Sequence, residues 1–124
     1  MKDNIILIGF MGSGKTSVGI RLSYRMKRTM IDTDKWIEQR QKMSVSGIFV
    51  AYGESAFREM ETDCLKALIE TADKQIISVG GGLPVREENH GLLKQLGRVF
   101  YLKVSPEVVY ERLKDDKTRP LLQV

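Results

Sequence analysis

A single cysteine, Cys64, excludes any disulfide within the chain, a composition that fits a reducing cytoplasm. The lone histidine, His90, has no nucleophile near it in sequence and receives no role. The lone tryptophan, Trp36, reads as packing rather than stacking. Long hydrophobic runs are missing too. The apolar stretch Ile5–Ile8 is far too short for a signal peptide or a membrane span, so neither secretion nor membrane insertion is supported. There is no repeat, low-complexity tract or Pro/Gly-rich linker, and 124 residues suit one domain over 1–124. Charge is not of one sign: the net +4 comes from lysines and arginines spread along the whole chain. Their densest group, Arg21, Arg25, Lys27 and Arg28, lies on a predicted helix and reads as a solvated face. No aromatic stripe accompanies it, so nucleic-acid binding is not expected.

What is present is an alternation of strands and helices. Asn4–Ile8 is a continuous apolar run ending at Gly9, as a buried parallel strand requires. Val18, Leu22 and Met26 recur at i+4 spacing on a following helix. Thr29–Ile31 is a short strand ending at Asp32. Helices are predicted from Trp36 to Met43, Ser46 to Tyr52 and Glu54 to Ala72, the last with Phe57, Cys64, Leu65, Leu68 and Ile69 inward. Gln75–Val79 is a strand ending at Gly80, Arg86–Leu96 a helix and Arg98–Val104 a strand. Ser105-Pro106-Glu107 opens one more helix, with an N-cap, a proline at the first position and an early carboxylate. The class is α/β: three layers, with helices on both faces of a parallel sheet. Ligands of such sheets bind beyond the carboxyl ends of the strands. Gly9, Asp32 and Gly80 all follow strand ends, so their segments should converge on one cleft.

Gly9-Phe10-Met11-Gly12-Ser13-Gly14-Lys15-Thr16 satisfies G-x-x-x-x-G-K-[ST] between a strand and a helix, the context of a phosphate-binding P-loop. Glycines let backbone N–H groups approach phosphate oxygens, and the helix start adds its positive dipole end. Lys15 should neutralise the β- and γ-phosphates, and the Thr16 hydroxyl should ligate Mg²⁺. In Asp32-Thr33-Asp34, one carboxylate could help hold hydrated Mg²⁺ while the other deprotonates a substrate hydroxyl. The plainer alternative is a helix N-cap followed by a solvated acid. Arg58 could pair with a substrate carboxylate, or be an ordinary helix salt-bridge residue. Gly80-Gly81-Gly82 would bring backbone amides close to a ligand, or form a loose turn. The arginine of Lys117-Thr118-Arg119-Pro120-Leu121-Leu122 could close over ATP, or belong to a frayed tail.

In this order, GFMGSGKT, DTD, IFVAYGESAFREME, SVGGGLPVREEN and DKTRPLL resemble the shikimate kinase family, over essentially the whole chain. The resemblance implies a nucleoside-monophosphate-kinase-like P-loop fold with strand order 2-3-1-4-5. It implies transfer of a phosphoryl group from ATP, with Mg²⁺, to the shikimate 3-hydroxyl, on the route to chorismate and aromatic amino acids. Gly12, Ser13, Gly14, Lys15, Thr16 and Ser17 would then hold the ATP phosphates, with Thr16 and Asp32 at the metal. Asp34 would bind the substrate hydroxyls and act as base. Arg58 would hold the carboxylate beside Gly81, within the Gly80–Gly82 run, and Arg119 would be the lid arginine.

Family members continue past the RPLL run with the rest of the lid, a second carboxylate-binding arginine, the fifth strand and an adenine-contacting loop. A chain ending at Val124 is expected to lack them, leaving 98–104 as an exposed edge open to self-association where the longer protein would be a monomer. Two other readings follow: a shortened form that binds nucleotide or a partner without turnover, and a different small-molecule kinase such as gluconate kinase. The latter leaves Asp32-Thr33-Asp34 with Arg58 unexplained.

Overall fold

A computed structural model describes residues 3–9 and 15–101, with Lys15 and Thr16 described by backbone alone. The expectations placed on 10–14 and on 102–124, including the helix opened by Ser105 and the lid segment with Arg119, lie outside the described residues. In chain order the elements are β1 (Asn4–Ile8), α1 (Lys15–Met26), β2 (Met30–Asp32), α2 (Thr33–Gln41), α3 (Val45–Tyr52) and α4 (Glu54–Thr71). They continue with β3 (Ile76–Ser78), a single 3₁₀ turn at Leu83–Val85, α5 (Glu88–Leu96) and β4 (Gly97–Tyr101).

The four strands form one sheet in the order β2-β3-β1-β4, and every pairing is parallel. That is the 2-3-1-4 part of the order implied by the resemblance. Successive side chains of a strand point to opposite faces. Ile5 and Leu7 accordingly join Ile76 under Val18 and Leu22 of α1. Ile6 and Ile77 face the other way, into a larger core with Ile37, Ile48, Phe57, Leu65, Leu68, Leu93 and Leu96. Burial on both faces explains why β1 reads as an unbroken apolar run. At the edge of the described sheet, β4 leaves Val99, Phe100 and Tyr101 exposed.

Several boundaries differ from the sequence reading, each for a local reason. Strand β2 runs one residue later than expected, because Asp32 still pairs with Ser78. Helix α2 begins at Thr33 rather than Trp36: Asp32 is its N-cap, with an extended backbone and a side chain that accepts a hydrogen bond from the Lys35 N–H at 3.2 Å. Helix α3 starts at Val45, capped by Ser44, whose Oγ accepts from the Gly47 N–H. Helix α5 starts two residues late, since the chain first makes the 3₁₀ turn and leaves Arg86 extended. Strand β4 opens at Gly97, where any side chain would run into the Asn4 backbone. On α4, Ile69 is only partly buried, whereas Glu61 and Thr62 are fully buried.

Candidate functional site

Parallel pairing brings three strand ends level. Ser78 of β3 pairs with Leu7 of β1 on one side and with Asp32 of β2 on the other. The segments that follow, beginning at Gly9, Thr33 and Val79, therefore leave the sheet side by side. Gly9 has φ 153°, a conformation that glycine adopts without strain. A side chain added at Gly81 would come within 3.9 Å of the Gly9 carbonyl, so the glycine run lies against the entrance of the phosphate-binding motif.

The glycine run is packed more closely on its other sides. A Cβ at Gly80 would sit 2.8 Å from Asp34 Oδ1 and 3.2 Å from Glu61 Oε2. A Cβ at Gly82 would sit 2.5 Å from Arg58 Nη1 and 2.7 Å from its Cζ. Asp34 and Arg58 thus contact neighbouring turns of one loop, and the absence of side chains there makes both approaches feasible. The Gly80 N–H is itself committed, donating to Thr33 Oγ1 at 3.1 Å. Farther along, the Leu83 carbonyl accepts from buried Asn89, whose Oδ1 in turn accepts from Thr62 of α4. The loop is tied to α2 at its start and to α4 and α5 at its end.

Arg58 carries its charge between two acids of α4. Its Nη1 donates to Glu61 Oε1 at 2.7 Å, and Glu61 is only 1% exposed. Its Nη2 pairs with Glu54 at 3.2 Å, on the solvent side. Burial raises the Glu61 carboxyl above the usual range; Arg58 opposes that shift, and the nearby Asp34 charge adds to it. The Arg58 guanidinium also lies 5.5 Å from the centre of the Phe57 ring, which packs on Phe49 with centroids 5.0 Å apart. Beside it opens a cleft of about 420 Å³ lined by Glu54, Ser55, Arg58, Glu59, Gly82 and Arg86. Cys64 stands apart, buried behind the site with its thiol pushed up to about 12, chiefly by desolvation.

The structure therefore brings Asp34, Arg58, Gly80, Gly81 and Gly82 into one neighbourhood. Asp32 caps α2, as the plainer alternative held, and the salt-bridge alternative likewise describes the partners of Arg58. Ser17 lies in the first turn of α1. The side chains of Lys15 and Thr16, and all of Gly12, Ser13, Gly14 and Arg119, are outside the described residues. No group of three or more acidic, histidine or cysteine side chains suited to a metal occurs among the described residues. No described helix is long and apolar enough to cross a membrane.

Sequence reasoning gave no role to Glu61 or Thr33, although both stand inside the motifs that carry the resemblance. A signal for Glu61 was there: it falls at i+4 from Phe57 and i−4 from Leu65, a carboxylate inside the apolar stripe of α4. An acid in that stripe needs a cation, and Arg58 stands at i−3. Thr33 left no comparable signal, because its partner is 47 residues away.

Comparison with known proteins gives consistent relatives. The family model described as shikimate kinase matches residues 11–124. Shikimate kinase of Thermodesulfovibrio yellowstonii is 46% identical over 98% of this chain and 69% of its own length. The solved shikimate kinase of Acinetobacter baumannii, in complex with shikimate, superposes with a TM-score of 0.82 at 39% identity, covering 100% of this chain and 69% of that one. For the Aquifex aeolicus shikimate kinase the TM-score is 0.79 at 41% identity, covering 96% of this chain and 70% of that one.

Proposed function

The chain belongs to the shikimate kinase family, and we propose that its strand-end cleft transfers the γ-phosphoryl group of ATP to the 3-hydroxyl of shikimate. The observation that carries this reading is the pair of contacts on one loop, Asp34 against Gly80 and Arg58 against Gly82. A hydroxyl-bearing carboxylate needs a base at one end and a planar cation at the other, and these two residues supply them.

Arg58 takes the substrate carboxylate. Its Nη1 edge stays on buried Glu61, which fixes the guanidinium, while the Nη2 edge pairs with Glu54, whose side chain is 68% exposed. Exposed pairs of this kind contribute about 0–1 kcal/mol, so an incoming carboxylate displaces Glu54 readily. Asp34 orients the hydroxyl and accepts its proton as the oxygen attacks phosphorus. Helix α1 begins at Lys15, directing its N-terminal dipole at the phosphates, and in this reading Gly12 to Ser17 cradle them. Arg119 meets ATP from the lid.

Hard oxygen donors suit Mg²⁺, and the Asp32 carboxylate, at a strand end beside the phosphate motif, fits that requirement together with the Thr16 hydroxyl. Mg²⁺ bound there supplies charge neutralisation on the phosphates. A cytoplasmic location belongs to the same reading, supported by the single, unpaired cysteine.

The test is ADP release in the presence of ATP, Mg²⁺ and shikimate, with Asp34→Asn as the comparison. Shikimate-dependent turnover that falls about 100-fold or more in the variant is expected, in line with general-base contributions. Phosphorylation of another small alcohol with shikimate ignored would overturn the substrate assignment.

A further inference from the structure

Between the two acids of Asp32-Thr33-Asp34 stands a residue that the chemistry above leaves unused. Thr33 is fully buried, at the first position of α2. Its Oγ1 accepts the Gly80 N–H at 3.1 Å, joining segments 47 residues apart in sequence. The same two segments meet a second time one residue further along α2, where Asp34 Oδ1 lies so close to Gly80 that a Cβ there would be 2.8 Å away. The hydrogen bond and the close approach are therefore coupled: whatever holds Gly80 to Thr33 also sets the distance from Gly80 to Asp34.

We propose that Thr33 is a positioning residue, whose hydroxyl holds the glycine loop on the Asp34 turn and thereby sets where the substrate hydroxyl meets its base. The role rests on the reading of Asp34 as that base. Three features give the bond its influence. Gly80 has no side chain to wedge against its surroundings, so its position depends on its backbone contacts. Its O accepts from the Leu83 N–H, which rigidifies the turn internally but does not attach it to α2. Glu61 also borders Gly80, its Oε2 lying 3.2 Å from where a Cβ would sit, so the loop has little room to move toward α4. The commitment to Thr33 has a corollary for recognition: the Gly80 amide is already occupied, so substrate donors from this loop must come from residues after it.

Thr33→Val removes the hydroxyl while keeping a β-branched shape, and Thr33→Ser keeps the hydroxyl while removing the methyl. The assay is steady-state turnover with each substrate varied in turn, with amide hydrogen exchange at Gly80 followed by NMR. For Thr33→Val, kcat is expected to fall about 10-fold, since misplacement by about 1 Å costs on the order of 100-fold and the loop shift is a fraction of that. The KM for ATP should stay within about twofold, because the contact that is altered is the one between Gly80 and the Asp34 turn. The Gly80 amide should exchange faster in Thr33→Val, and Thr33→Ser should restore both turnover and protection. A mere loss of folded protein would lower kcat without changing Gly80 protection relative to neighbouring amides. Should Thr33→Val not fold, Thr33→Ala takes its place with the same expectations. Unchanged kcat in the hydroxyl-free variant, or Thr33→Ser as impaired as Thr33→Val, overturns the proposal. Absence of shikimate-dependent turnover by the unaltered protein overturns the functional reading, and this role with it.

Discussion

Replacing Gly82 by alanine should damage substrate recognition while leaving the fold intact, because the atoms nearest to the added methyl are those of the Arg58 guanidinium. Gly82 has φ −88° and ψ −12°, a conformation open to any L-residue, so the backbone exerts no penalty. The added methyl, however, would lie 2.5 Å from Nη1, 2.6 Å from Nη2 and 2.7 Å from Cζ of Arg58. Heavy atoms in contact prefer about 3.5 Å or more, so the guanidinium must retreat by about 1 Å. Its inner edge is fixed on Glu61 at 2.7 Å, and that carboxylate is buried. Retreat therefore stretches the Arg58–Glu61 bond, moves the cation off the substrate carboxylate, or both. Losing a charge-assisted hydrogen bond of this kind corresponds to about 1.5–3 kcal/mol. The KM for shikimate should rise by roughly 10- to 150-fold, since each 1.4 kcal/mol is a factor of about 10. The KM for ATP should move little. Varying both substrates in a coupled ADP-release assay, with thermal unfolding in parallel, measures each part. A shikimate KM within about twofold of the unaltered protein would refute the reasoning, as would a collapse of the melting temperature with both KM values unchanged.

Two further outcomes follow from the charges. Burial raises the Glu61 carboxyl, so the folded state binds its proton more tightly than the unfolded chain does. Stability owed to that group must therefore fall as pH rises from its ordinary value of 4.5 through the raised one. Urea unfolding from pH 4 to pH 8 should show the unaltered protein losing ground to Glu61→Gln across that interval, and a gain instead would contradict the assignment. Asp3 carries the opposite sign: its hydrogen bond to Arg28, aided by Arg98, holds its carboxyl below the ordinary 3.8. The stabilisation is present above 3.8 and is lost as pH falls through the lowered value, so Asp3→Asn should match the unaltered protein in strong acid and fall behind it at neutral pH. A difference that persists undiminished in strong acid would exclude this linkage.

Much of the fold was legible because its signals are local. The continuous apolar run Asn4–Ile8, the i+4 stripe of α1 and the breaks at Gly9 and Gly53 are properties of short windows, and β1, α3 and α4 appear within a residue of their expected bounds. Misplaced helix starts occurred where a side chain caps a helix or where a turn intervenes. Asp32 was weighed both as a site acid and as a cap, and its geometry shows the cap; both uses begin from a carboxylate at the end of a strand.

By itself the sequence determined the α/β class, the family and the inventory of groups near the cleft, since motifs and hydrophobic periods are written in neighbouring residues. Only the tertiary structure decided which groups touch. It placed Asp34 on Gly80 and Arg58 on Gly82, buried Glu61 behind that arginine, and tied Thr33 to an amide 47 residues away. Those contacts depend on parallel strands whose register makes their ends level, a relation among distant segments that no short window contains.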